Sequence, residues 1–246
     1  MGATTMRKGT SMFEPVKIAP SILSADFMHL GRDIELIEKA GAGYVHVDVM
    51  DGHFVPNLTM GVPVVKQLKK ATSLPLDVHL MIANPLEQLP WFLDAGADSV
   101  TVHAEALDAD GLARAVAAIH AAGAKAAVSV KPRTAVGALA PVLADLDMVL
   151  VMSVEPGFSG QSYIEGSEAK VARIAEMARA VGASPLIQVD GGIGEVTAPI
   201  VAAAGADVLV CGNAVFAAED PAAALAAVQA AAEEARLAAL AVSKEA

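Results

Sequence analysis

A helix-ending glycine recurs along this chain, and each time a β-rich aliphatic run begins within a few residues. Ala40-Gly41-Ala42, Ala95-Gly96-Ala97, Ala122-Gly123-Ala124, Val181-Gly182-Ala183 and Ala204-Gly205-Ala206 each close a helical pattern and open a β-rich one. Glycine suits the left-handed residue just past a helix end. The pattern predicts strands over 17–21, 44–50, 76–81, 99–104, 126–130, 148–154, 186–190 and 208–211. Helices are expected over 27–40, 86–95, 110–122, 163–181 and 195–204, and from Pro221 onward. Eight strand-then-helix units of similar length within 246 residues imply a parallel eight-stranded sheet closed into a (β/α)8 TIM barrel. An open doubly wound sheet is the alternative, but no dinucleotide-binding glycine fingerprint follows the first strand.

Composition narrows the class. Hydrophobic residues make up 54% and aromatic ones 4%, so the core is built from Ala, Val, Leu and Ile. A net charge of −11 argues against a nucleic-acid surface, which selects basic patches. No apolar run approaches the roughly 20 residues of a membrane helix. The N-terminus shows no continuous apolar segment of a secretory signal, so a cytoplasmic enzyme is expected. The single cysteine, Cys211, lies in an apolar run and reads as a buried core residue. Residues 1–14 carry no pattern and are expected to form a flexible extension; 15–242 form one catalytic barrel, and 243–246 are loose.

Four short blocks carry the chemistry: His46-Val47-Asp48-Val49-Met50-Asp51-Gly52, Asp77-Val78-His79-Leu80-Met81, Glu155-Pro156-Gly157-Phe158-Ser159-Gly160 and Asp190-Gly191-Gly192. Each ends an apolar run, where a strand hands over to a loop. Alternate strand residues share a face, so His46, Asp48 and Met50 point one way, as do Asp77, His79 and Met81. Active sites of this fold lie at the carboxyl ends of the strands. Barrel closure therefore aims His46, Asp48, His79 and Asp190 at one point, a mixed nitrogen/oxygen set suited to a metal ion. A single inward polar residue is more often structural, but several buried ionisable groups without a partner would be costly. The glycines at 157, 160, 191, 192 and 212 allow close backbone approach and can cradle a phosphate.

The stretches 19–27, 46–61, 77–82, 151–161 and 189–193 resemble the ribulose-phosphate 3-epimerase family, and the block HVDVMDGHFVPNLTMG is by itself highly specific. The resemblance implies interconversion of D-ribulose 5-phosphate and D-xylulose 5-phosphate through an enediolate. It implies one divalent metal ion per subunit (zinc, iron(II), manganese or cobalt) on His46, Asp48, His79 and Asp190. It assigns Asp48 as proton acceptor and Asp190 as proton donor. His79 and Asp190 also touch substrate, Ser21 bonds a substrate hydroxyl, and Met50, Met81 and Met152 form an apolar wall. Gly157, Phe158, Ser159, Gly160, Gly191, Gly192, Gly212 and Asn213 surround the phosphate. Two positions depart from the family pattern: Ser159 stands where many members have glycine, and Asn213 where serine commonly follows the glycine.

The remaining histidines read as structural. His29 and His120 fall in helical patterns, and His53 and His103 lie near the mouth without matching partners, outside the metal set. Lys66, Lys69 and Lys70 mark a solvated helix face. The expected partner is a phosphorylated ketopentose, with no nucleic acid and no membrane, and a homo-oligomer of open order. The competing readings are a hexulose-phosphate epimerase such as an allulose 6-phosphate 3-epimerase, a metal-dependent aldolase, and a catalytically silent phosphosugar-binding barrel.

Overall fold

The computed structural model describes residues 14–245, so the expected extension over 1–14 lies outside them except for Glu14. Eight parallel strands are present: β1 (Lys17–Pro20), β2 (Val45–Met50), β3 (Leu76–Met81), β4 (Ser99–His103), β5 (Lys125–Val130), β6 (Met148–Met152), β7 (Leu186–Asp190) and β8 (Val208–Cys211). They pair in the order β1-β8-β7-β6-β5-β4-β3-β2. The seam between β1 and β2 is narrow. It is joined by a parallel bridge from Ser21 to His46 and by the Gly43 N–H donating to the Ile18 carbonyl at 2.8 Å. Around the sheet lie α1 (Leu30–Lys39), α2 (Val62–Ala71), α3 (Pro85–Asp94), α4 (Ala109–Ala121), α5 (Ser167–Ala180), α6 (Ala198–Ala203), α7 (Asn213–Phe216) and α8 (Pro221–Glu245).

Strand alternation divides the interior into two different environments. Val45, Val47 and Val49 of β2 belong to the large apolar cluster that also contains Val65 and Leu68 of α2, and Cys211 lies in the same cluster. Their neighbours His46, Asp48 and Met50 are equally buried but face the barrel lumen. A small apolar plug of Ala19, Tyr44, Ala127, Met148, Val208 and Val210 fills one part of the lumen. The polar side chains of Asp77, His79, Ser99, Thr101, His103, Ser129 and Gln188 are buried as well. On α2, Lys66, Lys69 and Lys70 face solvent.

All five junction glycines have positive φ, from +72° at Gly182 to +111° at Gly205, as the helix-end reading requires. The helices differ from expectation at their starts. α1 begins at Leu30 rather than residue 27, because the Asp26 carboxylate accepts from the Met28 N–H at 3.0 Å and holds a turn there. α5 begins at Ser167 rather than 163, after left-handed Gly166 at φ +90°. α6 begins at Ala198 rather than 195, since Thr197 Oγ1 ties down the Gly192–Gly194 turn. The eight units are also not uniform. Between β5 and β6 there are only two short 3-10 turns, Val136–Leu139 and Leu143–Asp145, in a stretch interrupted by Pro132, Gly137 and Pro141. At the other end α8 runs on to Glu245, past residue 242, because nothing in Ser243-Lys244-Glu245 breaks a helix.

Candidate active site at the carboxyl end of the barrel

His46, Asp48, His79 and Asp190 come together as the strands were expected to bring them. One ligand atom from each can be chosen so that all lie within 4.8 Å of one another, a group that could hold a metal ion. Asp48 Oδ1 is 3.3 Å from His46 Nε2 and 3.2 Å from His79 Nδ1, and Asp190 Oδ2 is 3.9 Å from His79 Nδ1. Both imidazoles are completely buried. His46 Nδ1 bonds Asp77 Oδ2 at 2.8 Å, and the same oxygen accepts from Gln188 Nε2 at 2.7 Å across the lumen. His46 Nε2 has no hydrogen-bond partner although it is buried. An orphaned, inward-aimed imidazole nitrogen beside two carboxylates fits a cation.

The two carboxylates hold protons differently. Burial pushes Asp48 up, but the His46 and His79 imidazoles outweigh it and keep its carboxyl well below the usual range. Burial and then the charge of Asp48 push Asp190 up to about 6. Burial pushes His46 down, yet Asp48 and Asp77 together raise it well above an ordinary histidine.

Above this floor opens a cavity of about 370 Å³. It is lined by Ser21, Asp48, Met50, Met81, Met152, Gly157, Phe158, Ser159, Gly160, Asp190, Gly191, Gly192, Gly212 and Asn213. His46 and His79 do not line it and lie beneath its floor. The three methionines are buried against it, with 5% or less of their surface exposed. Ser21 Oγ donates to Asp48 Oδ2 at 2.5 Å and accepts from the Leu23 N–H at 3.3 Å. Its hydroxyl therefore steadies the carboxylate as well as facing the cavity.

Two glycines are essential to the cavity's shape. A Cβ at Gly191 would stand 2.8 Å from the Val154 nitrogen, and one at Gly192 would stand 2.3 Å from the Tyr163 nitrogen. Both have positive φ, at +122° and +64°. Asn213 Nδ2 packs against Gly160, 2.7 Å from where a Cβ would be. Among the described residues, no lysine or arginine lines the cavity. The charged side chains of the lining are the carboxylates Asp48, Asp190 and Glu195, so an anion there relies on backbone N–H groups and the neutral Ser159 and Asn213 at the glycine-rich end.

Sequence reasoning gave Asp77 a face but no role, set His103 aside as lacking partners, and did not reach Gln188 or Glu105. The signal for Asp77 was available: it precedes His79 by two residues on the same face, and pairs in register with His46. His103 is outside the group of four, but its Nε2 lies 2.8 Å from His79 Nε2, and its Nδ1 lies 3.1 Å from Glu105 Oε2. Burial is the main reason that His103 is pushed down to about 4. His53 stays local, its Nδ1 at 2.9 Å from the Asp51 carbonyl oxygen.

The sequence profile described as the ribulose-phosphate 3 epimerase family matches residues 17–216. The chain belongs to the ribulose-phosphate 3-epimerase family. Its similarity to "Ribulose-phosphate 3-epimerase" of Bacillus subtilis is 48% identity over 206 residues, covering 83% of this chain and 94% of that protein. "Ribulose-phosphate 3-epimerase" of Mycobacterium tuberculosis is 50% identical over 213 residues, covering 86% and 91%. "Ribulose-5-phosphate-3-epimerase, chloroplastic" of Arabidopsis thaliana is 48% identical over 213 residues, covering 87% and 76%. Among solved structures, one described as KGPDC from Streptococcus mutans shares the fold, with a TM-score of 0.66 at 14% identity, over 90% of this chain and 99% of that one. For this member of the epimerase family, no helix among the described residues is long and apolar enough to cross a membrane.

Proposed function

We propose that this chain epimerises D-ribulose 5-phosphate to D-xylulose 5-phosphate at C3, in pentose phosphate metabolism. The supporting observation is the placement of Asp48 on β2 and Asp190 on β7, both facing one cavity and holding their protons differently. Inverting a carbon beside a carbonyl requires removing its proton from one face and returning one to the other. Asp48 is the proton acceptor and Asp190 the donor; in the reverse direction their roles exchange. A divalent cation, when bound, supplies Lewis-acid stabilisation of the charge developing on the substrate's carbonyl and hydroxyl oxygens. His46, Asp48, His79 and Asp190 are its proposed ligands, with zinc, iron(II), manganese and cobalt all compatible with such a set.

The methionine wall of Met50, Met81 and Met152 limits water around the reacting carbons. Ser21 holds Asp48 in place and reaches a substrate hydroxyl. The glycine turns at 157–160, 191–192 and 212, with Ser159 and Asn213, receive the phosphate, and Phe158 covers it. A cytoplasmic location belongs to the same reading. So does self-association, which the exposed Met28, Leu58 and Val196 would favour.

Stripped protein reloaded separately with each of the four metals, then given ribulose 5-phosphate in deuterated water, tests the assignment. Xylulose 5-phosphate carrying solvent deuterium at C3 is expected, with slower turnover of allulose 6-phosphate. Faster turnover of the hexulose phosphate would move the assignment to that sugar. Carbon–carbon cleavage would indicate an aldolase, and binding without conversion for every metal would indicate a silent barrel.

A further inference from the structure

We infer that His103 and Glu105 are positioning residues that decide which nitrogen of His79 is left free to bind a cation. This rests on the metal-centre reading above. His79 turns Nδ1 toward Asp48 and Asp190, and turns Nε2 toward His103 Nε2 at 2.8 Å. Only one hydrogen fits between two nitrogens that face each other. A nitrogen that binds a cation must offer a lone pair, so the proton of His79 sits on Nε2. His103 Nε2 then has to be the acceptor, which places the His103 proton on Nδ1. That N–H points at Glu105 Oε2, 3.1 Å away. With a cation on His79 Nδ1, every proton in the row then has an acceptor, the last of them the Glu105 carboxylate.

Glu105 is itself held in place. Its other oxygen, Oε1, accepts from the Lys131 N–H at 2.7 Å. The Phe54 ring lies 4.8 Å from the His103 ring, and the Lys131 ammonium stands 3.8 Å over that phenyl ring. The His79 and His103 rings meet edge to edge, 5.0 Å between centroids with their planes 23° apart, and both are completely buried. A buried histidine serving only as packing would not need a row of directed bonds ending on a carboxylate. The two proposed histidine ligands thus reach the same result by different routes. Asp77 fixes His46 directly and frees Nε2, whereas Glu105 fixes His79 through an intervening imidazole and frees Nδ1.

The test uses the full chain with zinc as the probe. Long-range proton–nitrogen spectra of the imidazoles in the zinc-loaded protein should place a proton on His79 Nε2 and on His103 Nδ1. Zinc affinity is then measured by competition with a chelator in His103→Leu, His103→Gln and Glu105→Gln. His103→Leu leaves the His79 Nε2–H without an acceptor and should weaken zinc about 10- to 100-fold. A glutamine at 103 can accept from His79 and donate to Glu105, so it should recover most of that loss. At position 105, a glutamine turns its NH2 toward either the Lys131 N–H or the His103 Nδ1–H, each of which faces its own oxygen of Glu105, and zinc should weaken about 10-fold. If His103→Leu does not fold, His103→Gln and Glu105→Gln, with the spectra, still decide the matter. A proton on His79 Nδ1 in the zinc protein, or folded His103→Leu and Glu105→Gln variants that hold zinc as tightly as the parent, would overturn the inference. A parent protein that binds no zinc or other divalent cation would remove the metal-centre reading and this inference with it. An unaffected variant beside a zinc-binding parent would remove the inference alone.

Discussion

His46 and Asp77 share a 2.8 Å hydrogen bond in a part of the barrel where neither side chain reaches solvent. The carboxylate accepts from Gln188 on the same oxygen, so it presents acceptors to two donors. Asp77→Asn can keep both bonds on its carbonyl oxygen but removes the negative charge that makes the His46 imidazole more basic. Metal affinity is expected to fall about 10- to 100-fold with the fold retained. Competition titration against a chelator, alongside circular dichroism, checks both parts; undiminished affinity would show that His46 orients itself without help.

Asp48→Asn and Asp190→Asn should each lower kcat by about 10²- to 10⁴-fold when metal occupancy is matched to the parent. An amide oxygen can still approach a cation but exchanges no proton at neutral pH. One variant can keep exchanging the substrate proton with solvent while epimerisation is lost, since removal needs only one base. Near-parental epimerisation by either variant would refute the two-aspartate scheme.

Gly192→Ala forces an L residue to φ +64° and drives its Cβ toward the Tyr163 backbone. The conformation alone costs about 1–3 kcal/mol, and the clash must shift the β7 turn. A raised KM for the phosphosugar and a lowered Tm are expected together. If saturation kinetics were unchanged, this turn would not form part of the anion cradle.

The absence of lysine and arginine from the cavity lining, among the described residues, predicts an unusual insensitivity to salt. An anion held by N–H dipoles, in a chain of net charge −11, gains little from long-range attraction that salt could screen. KM for the phosphosugar should change by no more than about twofold between low and moderate ionic strength, judged by the screening lengths involved. A steep rise with added chloride would point to a cation that closes over the substrate.

Cys211 offers a pH test remote from turnover. Burial first, and then the charge of Asp190, push its thiol up to about 12 from an ordinary value of 9. Between those values the unfolded chain binds fewer protons than the folded one, so stability falls as pH rises through that window. Below pH 9 the contribution is complete. Cys211→Ala should therefore flatten the alkaline limb of a denaturation-against-pH curve relative to the parent. A neutral-pH thiol reagent should label the parent only on unfolding; prompt labelling of the folded protein would refute the burial.

The sequence spells out what repeats and what alternates. The Ala-Gly-Ala junctions mark helix ends because left-handed geometry selects glycine there, and His46, Asp48, His79 and Asp190 lie on shared faces because strands have a period of two. Where helices begin is less legible. Asp26, Gly166 and Thr197 delay them through local bonds and backbone conformations that apolar periodicity does not register. The β5–β6 connection misleads for a similar reason: its apolar residues are sufficient for a helix, and Pro132 and Pro141 interrupt it. His103 and Glu105 escaped because their meaning depends on β3 and β4 lying side by side, which places two rings nitrogen to nitrogen across strands. No spacing within either block contains that information.

The large apolar cluster lies between sheet and helices, whereas the strand faces that carry the site look the other way, into the lumen. One strand thus serves two masters through alternate residues. Val45, Val47 and Val49 answer to the fold; His46, Asp48 and Met50 answer to the proposed chemistry. In evolutionary terms the lumen can be rewritten without renegotiating the outer core. A lineage can change what such a barrel does by exchanging every second residue of its strands, and keep the scaffold that the other half maintains.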